Sequence, residues 1–135
     1  MTFFLGQTAR RSKMITKSDV ETMAELSGDK NPLHLDEEYA KKTRFGKCIA
    51  HGIWPSALIS AVLGMDLPGP GTIYLSQFVK FLRPCYIGDT ITAIVTINEI
   101  MPKNQIKLQT NVINQNRKEL VIGEAIVINT IDGSN

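Results

Sequence analysis

The sequence predicts an α+β fold in which an antiparallel β-sheet wraps around a central buried helix. Residues 51–64 are apolar on nearly every face of a helix, and such a helix has to be covered on all sides. Four β runs follow it, at residues 72–82, 90–100, 105–114 and 120–130. Short polar breaks separate the last three runs, which indicates hairpins and antiparallel pairing. One buried helix inside a long antiparallel sheet is the hot-dog architecture.

The first part of the chain predicts two short helices on either side of a polar loop. Thr16 and Asp19 are spaced as a helix cap, and apolar residues then recur at helical spacing until Gly28. Asp36 can cap a second short helix. Residues 29–35 contain a proline, whose preceding residue avoids helical geometry, so we expect an irregular loop there.

The central helix and the strands have local signals of their own. Gly52 opens the helix and Pro55 lies near its first turn, where proline is tolerated. In the second β run every other residue is apolar, which marks one buried face: Ile91, Ala93, Val95 and Ile97.

Length and composition predict one domain over residues 1–135. The chain is 43% hydrophobic and 21% charged, which is typical of a globular domain and not of a disordered segment. Its 15 basic and 13 acidic residues are distributed along the sequence, so no nucleic-acid partner is expected. No apolar run approaches the roughly 20 residues of a membrane-spanning helix, so no membrane partner is expected either.

The cysteines and the early basic residues favour a cytoplasmic protein. Cys48 and Cys85 have neither C-x-x-C spacing nor a surrounding histidine cluster, so we expect reduced thiols and no metal site. The basic residues between Arg10 and Lys17 could belong to a transit peptide. We interpret them as exposed charges on a strand and its turn, since the chain lacks the repeat that targeting needs.

The polar loop is the most informative stretch for function. Asp29, Asn31 and His34 lie within six residues of one another. An acid, an amide and an imidazole on a rigid loop can bind one water, which Asp29 or His34 deprotonates while Asn31 orients it. This arrangement suits hydration or hydrolysis.

A purely structural interpretation of the same loop stays open, because short polar loops are common. Asp29 and Asn31 would then make turn hydrogen bonds, and His34 would pack against the sheet. Asp36 is fully explained by helix capping and is left out of the site.

The second candidate feature is the string I-A-H-G directly before the central helix. The Gly52 N–H would lie at the helix N-terminus, where free donors favour developing negative charge, as on a thioester oxygen. Gly52 could instead be present only because the chain turns there into the helix. For His51 we favour a structural role. Ser56 and Ser60 cannot be identified as nucleophiles, because no G-x-S-x-G elbow is present.

Together, the strings S-G-D-x-N-P-x-H-x-D and I-A-H-G resemble the signature of the MaoC-like hydratases, specifically the (R)-specific 2-enoyl-CoA hydratases. The resemblance covers nearly the whole chain. It implies a hot-dog fold, no metal or redox cofactor beyond the coenzyme A of the substrate, and usually a homodimer.

The resemblance also implies roles for residues at matching positions. Asp29 and His34 would be the catalytic pair, and Asn31 would help to hold the water. Gly52 would offer its backbone N–H to the thioester carbonyl, and Ser60 would be a supporting residue near the catalytic loop.

The expected reaction is reversible addition of water to a trans-2-enoyl-CoA, giving the (R)-3-hydroxyacyl-CoA. Three alternatives stay open. Hot-dog folds also host acyl-CoA thioesterases, the substrate could be a 3-hydroxyacyl group on acyl-carrier protein, and the chain could bind acyl thioesters without turnover.

Overall fold

The computed structural model describes residues 2–130. Met1 and residues 131–135, which the predicted domain includes, lie outside the described residues. In chain order the elements are β1 (Thr8–Met14), α1 (Lys17–Ser27), α2 (Pro32–Leu35), α3 (Glu37–Ala40), α4 (Ile53–Met65), β2 (Thr72–Phe81), β3 (Thr90–Met101), β4 (Gln105–Ile113) and β5 (Glu119–Asn129).

The five strands form one antiparallel sheet in the order β1-β3-β4-β5-β2. The predicted hairpins join β3 to β4 and β4 to β5. β2 pairs with β5, so it lies at one edge of the sheet, and β1 pairs with β3 at the other edge. Arg10, Arg11 and Lys13 are therefore on a strand, as predicted, whereas Lys17 begins α1 and that part of the prediction is wrong.

Helix α4 packs on the inner face of this sheet and forms the core with it. Ile59, Val62 and Leu63 of the helix are at most 1% exposed. The alternating β3 residues predicted to be buried are all 0–1% exposed. Each such side chain stabilises the fold by roughly 1.5–3 kcal/mol relative to an exposed position. The predicted hot-dog architecture is confirmed.

One face of α4 is exposed in the single chain. The sheet covers the side that carries Ile59, while Ile53, Ala57 and Ser60 follow one another at helical spacing on the open side. Ile53 is 55% exposed. Apolar residues on this side of α4, such as Ile53 and Ala57, are therefore not buried within the single chain.

The capping prediction for α1 is confirmed. The Asp19 N–H donates to the Thr16 hydroxyl at 3.1 Å, and the Thr16 N–H donates to the Asp19 carboxylate at 2.9 Å. Gly28 ends the helix with φ of +83°, a conformation that favours glycine. The polar loop therefore begins at a fixed point.

The predicted irregular loop contains one turn of helix, so that prediction is wrong for residues 32–35. Asn31 has the extended ψ of 126° expected before a proline, and its side chain accepts the Leu33 N–H as a helix cap. Pro32 then occupies the first helical position, where its missing N–H costs nothing. Asp36 caps α3 by accepting the Tyr39 N–H, as predicted.

Among residues 2–130, no helix combines the length and the apolar composition that crossing a bilayer requires.

Replacing Gly123 in β5 by alanine should destabilise the fold. An added Cβ would lie 2.1 Å from the Phe78 carbonyl oxygen of β2 and 3.1 Å from the Thr110 hydroxyl oxygen. The strands would have to separate, and we expect a loss of about 2 kcal/mol or more in the free energy of unfolding, measured by urea titration. Glu124→Ala, at the next and exposed position, is the control and should stay within about 0.5 kcal/mol of the native value. An unchanged midpoint for Gly123→Ala would contradict the close approach.

Candidate active site

Local hydrogen bonds shape the loop that carries Asp29. The Asp29 N–H donates to the Ser27 hydroxyl at 3.1 Å, and the Asn31 N–H donates to the Asp29 carboxylate at 3.2 Å. Both Asp29 and Asn31 thus make the turn hydrogen bonds of the structural interpretation. These bonds use only part of each side chain, because a carboxylate accepts several bonds and the Asn31 NH₂ group is not engaged in capping.

His34 is held at its Nδ1 atom, and its Nε2 atom has no hydrogen-bond partner within residues 2–130. It lies on α2, is 8% exposed, and its Nδ1 is 2.7 Å from the Ile49 carbonyl oxygen. A carbonyl can only accept, so Nδ1 carries the proton in this bond. The bond leaves the Nε2 atom available to a substrate, and it holds His34 by a specific contact in addition to packing.

His51 contacts both members of the predicted catalytic pair. It is 2% exposed, and its Nε2–H donates to the Asp29 carbonyl oxygen at 2.9 Å. Its ring stacks on the His34 ring with 4.0 Å between centroids and 30° between planes. The sequence alone favours a structural role for His51, because contacts that span 17 and 22 residues leave no local signal.

Asp29, His34 and His51 form one compact cluster. One potential ligand atom from each residue lies within 4.8 Å of the other two, so the cluster has the residue types of a metal site. The stacking works against shared metal binding. A metal ion lies in the plane of the imidazole ring that binds it. Two stacked rings lie in different planes, so their nitrogen lone pairs do not converge on one metal ion. The cluster is better suited to handling a proton.

Gly52 lies at the N-terminus of α4, beside this cluster. Its backbone has φ of −55° and ψ of −32°, and no side chain caps the helix. The Gly52 N–H has no hydrogen-bond acceptor among residues 2–130. A free donor at the start of a 13-residue helix lies where partial positive charge is concentrated, so it can stabilise an oxyanion.

A cavity of about 260 Å³ is lined by His34, His51 and Gly52, while Asp29 and Asn31 are not among its lining residues. Its walls are mostly apolar, with His34, His51 and Gly52 among the polar groups. The lining residues are His34, Arg44, Phe45, Ile49, Ala50, His51, Gly52, Pro55, Phe81, Leu82, Arg83, Pro84, Cys85 and Val121. Phe81 and Leu82, at the end of β2, also line the cavity. They were not predicted, since no local sequence signal marks them.

Two arginines line the cavity with side chains that reach solvent. Arg44 lies 5.1 Å from the Phe45 ring centroid, and Arg83 donates to the Glu119 carbonyl oxygen at 2.7 Å. Both residues are exposed. The cavity therefore combines apolar walls with positive charge, which suits an acyl group attached to an anionic carrier.

The Cys85 thiol also lines the cavity. Burial, with a smaller contribution from the charge of Asp89, raises the pKa of this thiol to about 12. The thiol stays protonated at neutral pH and is a poor nucleophile. Hydrolysis through a cysteinyl thioester is therefore disfavoured in this cavity.

Neither serine of α4 lines the cavity. Ser60 is exposed on the open side of the helix and does not line the cavity. The Ser56 hydroxyl is buried and has no hydrogen-bond partner among the described residues. The structure thus brings together Asp29, His34 and Gly52, and it places Ser60 elsewhere on the single chain.

Comparison with known proteins identifies close relatives. Residues 5–119 match the MaoC like domain. An (R)-specific enoyl-CoA hydratase from Rhodospirillum rubrum is 44% identical over 123 residues, which cover 91% of this chain and 85% of that protein. An (R)-specific enoyl-CoA hydratase from Aeromonas caviae is 41% identical over 124 residues, which cover 91% of this chain and 92% of that protein.

The fold has a close match as well. The structure of an R-hydratase from Pseudomonas aeruginosa in its unliganded form aligns with a TM-score of 0.91 and 43% identity. The alignment covers 94% of this chain and 82% of that one.

Proposed function

This chain belongs to the MaoC-like dehydratase family, and from that premise we propose that it is an (R)-specific enoyl-CoA hydratase. The observation that carries the proposal is the cluster in which a carboxylate oxygen of Asp29 lies within 4.8 Å of a ring nitrogen of His34, next to a cavity that His34 and Gly52 line. The reaction is reversible addition of water across the double bond of a trans-2-enoyl-CoA.

Asp29 is proposed to activate the water. Conjugation with the thioester makes the β carbon of the substrate electrophilic. A water held by the Asp29 carboxylate gives up its proton to that carboxylate and adds as hydroxide to the β carbon. The unengaged NH₂ group of Asn31 is proposed to orient this water.

His34 is proposed to protonate the α carbon. The Nδ1–H bond to the Ile49 carbonyl persists in the imidazolium form, which leaves Nε2–H as the proton donor. After the transfer Asp29 is protonated and His34 is neutral, and a proton passes from Asp29 back to His34 to restore the pair. Both groups are proposed to act from one side of the substrate, and the (R) configuration of the 3-hydroxyacyl product is inferred from the (R)-specific relatives.

Gly52 is proposed to bind the thioester oxygen. Negative charge develops on this oxygen as hydroxide adds, and the N–H at the start of α4 is oriented before the reaction begins. Ser60 stays a supporting residue by proposal. The exposed Arg44 and Arg83 would meet the phosphates of the carrier, either coenzyme A or the phosphopantetheine of acyl-carrier protein.

We also propose that the chain works as a homodimer, joined through its β2 side, in the cytoplasm. β2 is an edge strand with unpaired backbone groups, and its exposed side chains are largely apolar: Ile73, Tyr74, Leu75, Phe78 and Phe81. Such an edge favours pairing with another chain. The open side of α4, with Ile53 and Ala57, would be covered in the same assembly.

Replacing either member of the catalytic pair should strongly lower the rate of crotonyl-CoA hydration. The native chain is expected to remove the ultraviolet absorbance of the enoyl thioester. Asp29→Asn keeps the turn bond from the Asn31 N–H but loses the base, and His34→Ala loses the acid. We expect kcat to fall roughly a hundredfold or more in both. Lys30→Ala, exposed in the same loop, should keep the native rate.

Other outcomes of this assay separate the alternatives. Release of free coenzyme A from a saturated acyl-CoA would identify a thioesterase. Turnover only with acyl-carrier-protein substrates would identify a 3-hydroxyacyl-ACP dehydratase. Binding without any absorbance change would indicate a non-catalytic protein.

Removing the Gly52 N–H should lower kcat without disturbing the helix. The φ of −55° is close to the fixed φ of proline, so Gly52→Pro deletes the donor while fitting the local backbone. We expect kcat to fall by roughly 10²–10³-fold, the usual effect of losing one such donor.

Gly52→Ala is the matched control for the proline variant, because it keeps the N–H. Its Cβ would lie 3.5 Å from the Phe81 ring, an ordinary contact. Its kcat should stay well above that of the proline variant, with urea midpoints confirming that both fold. A folded proline variant with native kcat would rule out the oxyanion role.

A charge on β2 should split the homodimer. Phe78 is 64% exposed in the single chain, and Phe78→Asp would place a carboxylate in the proposed interface. We expect light scattering after size exclusion to give the mass of two chains for the native protein and of one for the variant. Leu26→Asp changes an 83% exposed residue of α1 and should leave the mass at two chains. A native mass of one chain would refute the dimer.

A further inference from the structure

We propose that His51 is a positioning residue that holds Asp29 and His34 in fixed positions relative to each other. This inference rests on the hydratase function proposed above. His51 is the one side chain in the described part of the chain that both hydrogen-bonds the Asp29 backbone and stacks on the His34 ring. It stands directly before Gly52 at the start of α4, so it links the catalytic loop to the central helix.

The hydrogen bond supplies a long-range anchor to an exposed loop. Asp29 is otherwise held by local bonds with Ser27 and Asn31, and these move with the loop. The His51 Nε2–H reaches the Asp29 carbonyl oxygen from a residue that is 2% exposed. It fixes the peptide from which the catalytic carboxylate projects.

The stacked ring restricts the direction of His34. The Ile49 carbonyl holds one edge of the His34 ring at Nδ1, and that bond alone would allow the ring to pivot. His51 lies against the face of the ring, 4.0 Å away between centroids, so it blocks the pivot. Together the two contacts set where Nε2 points.

The second nitrogen of His51 shows that packing alone does not explain this residue. His51 Nδ1 is buried and has no hydrogen-bond partner among the described residues. A buried acceptor without a partner destabilises the fold, and an apolar ring of similar size would avoid that loss. The two contacts that His51 makes in the site are with Asp29 and His34, so we assign its effect to the placement of those two residues.

A pair of variants separates the two contacts. His51→Phe keeps the ring and removes the donor. His51→Gln places an amide NH₂ near the position of Nε2 and removes the ring. The readouts are kcat and KM for crotonyl-CoA, the urea midpoint, and hydrogen exchange at the Asn31 and Leu33 amides, whose bonds report on order in the loop.

For His51→Phe we expect kcat to fall about tenfold to a hundredfold, as misplacement of catalytic groups by about 1 Å does, with KM changed less than about threefold. The urea midpoint should stay within the native range while both loop amides exchange faster. His51→Gln should recover kcat over the Phe variant and restore slow exchange. If the Phe variant does not fold, His51→Leu replaces it as the variant without a donor.

The outcomes keep this inference apart from the proposed function. A Phe variant with native kcat and native amide exchange overturns the positioning role even if the enzyme is a hydratase. Equal losses of stability and activity in all variants, with no recovery in Gln, also overturn it. A native chain without hydratase activity whose loop amides still exchange faster in the Phe variant retains the positioning role and overturns the hydratase proposal.

Discussion

Burial of α4 against the curled sheet is the constraint on which the other parts of this structure depend. The helix contributes side chains such as Ile59 and Val62 to the core, and β3 supplies the facing layer. This packing fixes the position of the residues immediately before the helix. The Gly52 N–H and the His51 ring therefore have defined places before any substrate arrives, and the more exposed loop with Asp29 is arranged around them. Stability of the core and order in the site have the same origin.

The fold was predictable wherever the controlling interaction is local. The Thr16 capping box and the alternation along β3 are decided by neighbours a few residues away, and both predictions are confirmed. The turn at residues 32–35 was missed because proline was taken only as a constraint on Asn31, although it also favours the first helical position. The placement of β2 beside β5 is a long-range choice that its own sequence does not specify.

The candidate site was likewise predictable only where its residues are close in sequence. The loop motif predicts Asp29, Asn31 and His34 as candidate site residues because they lie within six residues of one another. The structure places Asp29 and His34 close together. The partners that orient them are distant in sequence: the Ile49 carbonyl for His34, and His51 for both. Phe81 and Leu82 line the cavity at the end of β2. Earlier in this strand, its pairing with β5 shifts register between Tyr74 and Ser76. Such geometry has no signature in composition or spacing.

The buried thiol of Cys85 bears on how a reactive substrate can be held safely. An α,β-unsaturated thioester is a Michael acceptor, and a thiolate beside it would add to its β carbon and capture the enzyme as a thioether. Cys85 lines the cavity, but burial raises its pKa to about 12, so almost none of it is thiolate near neutral pH. The cavity therefore offers almost no sulfur nucleophile to the proposed substrate near neutral pH, which protects the protein from alkylation.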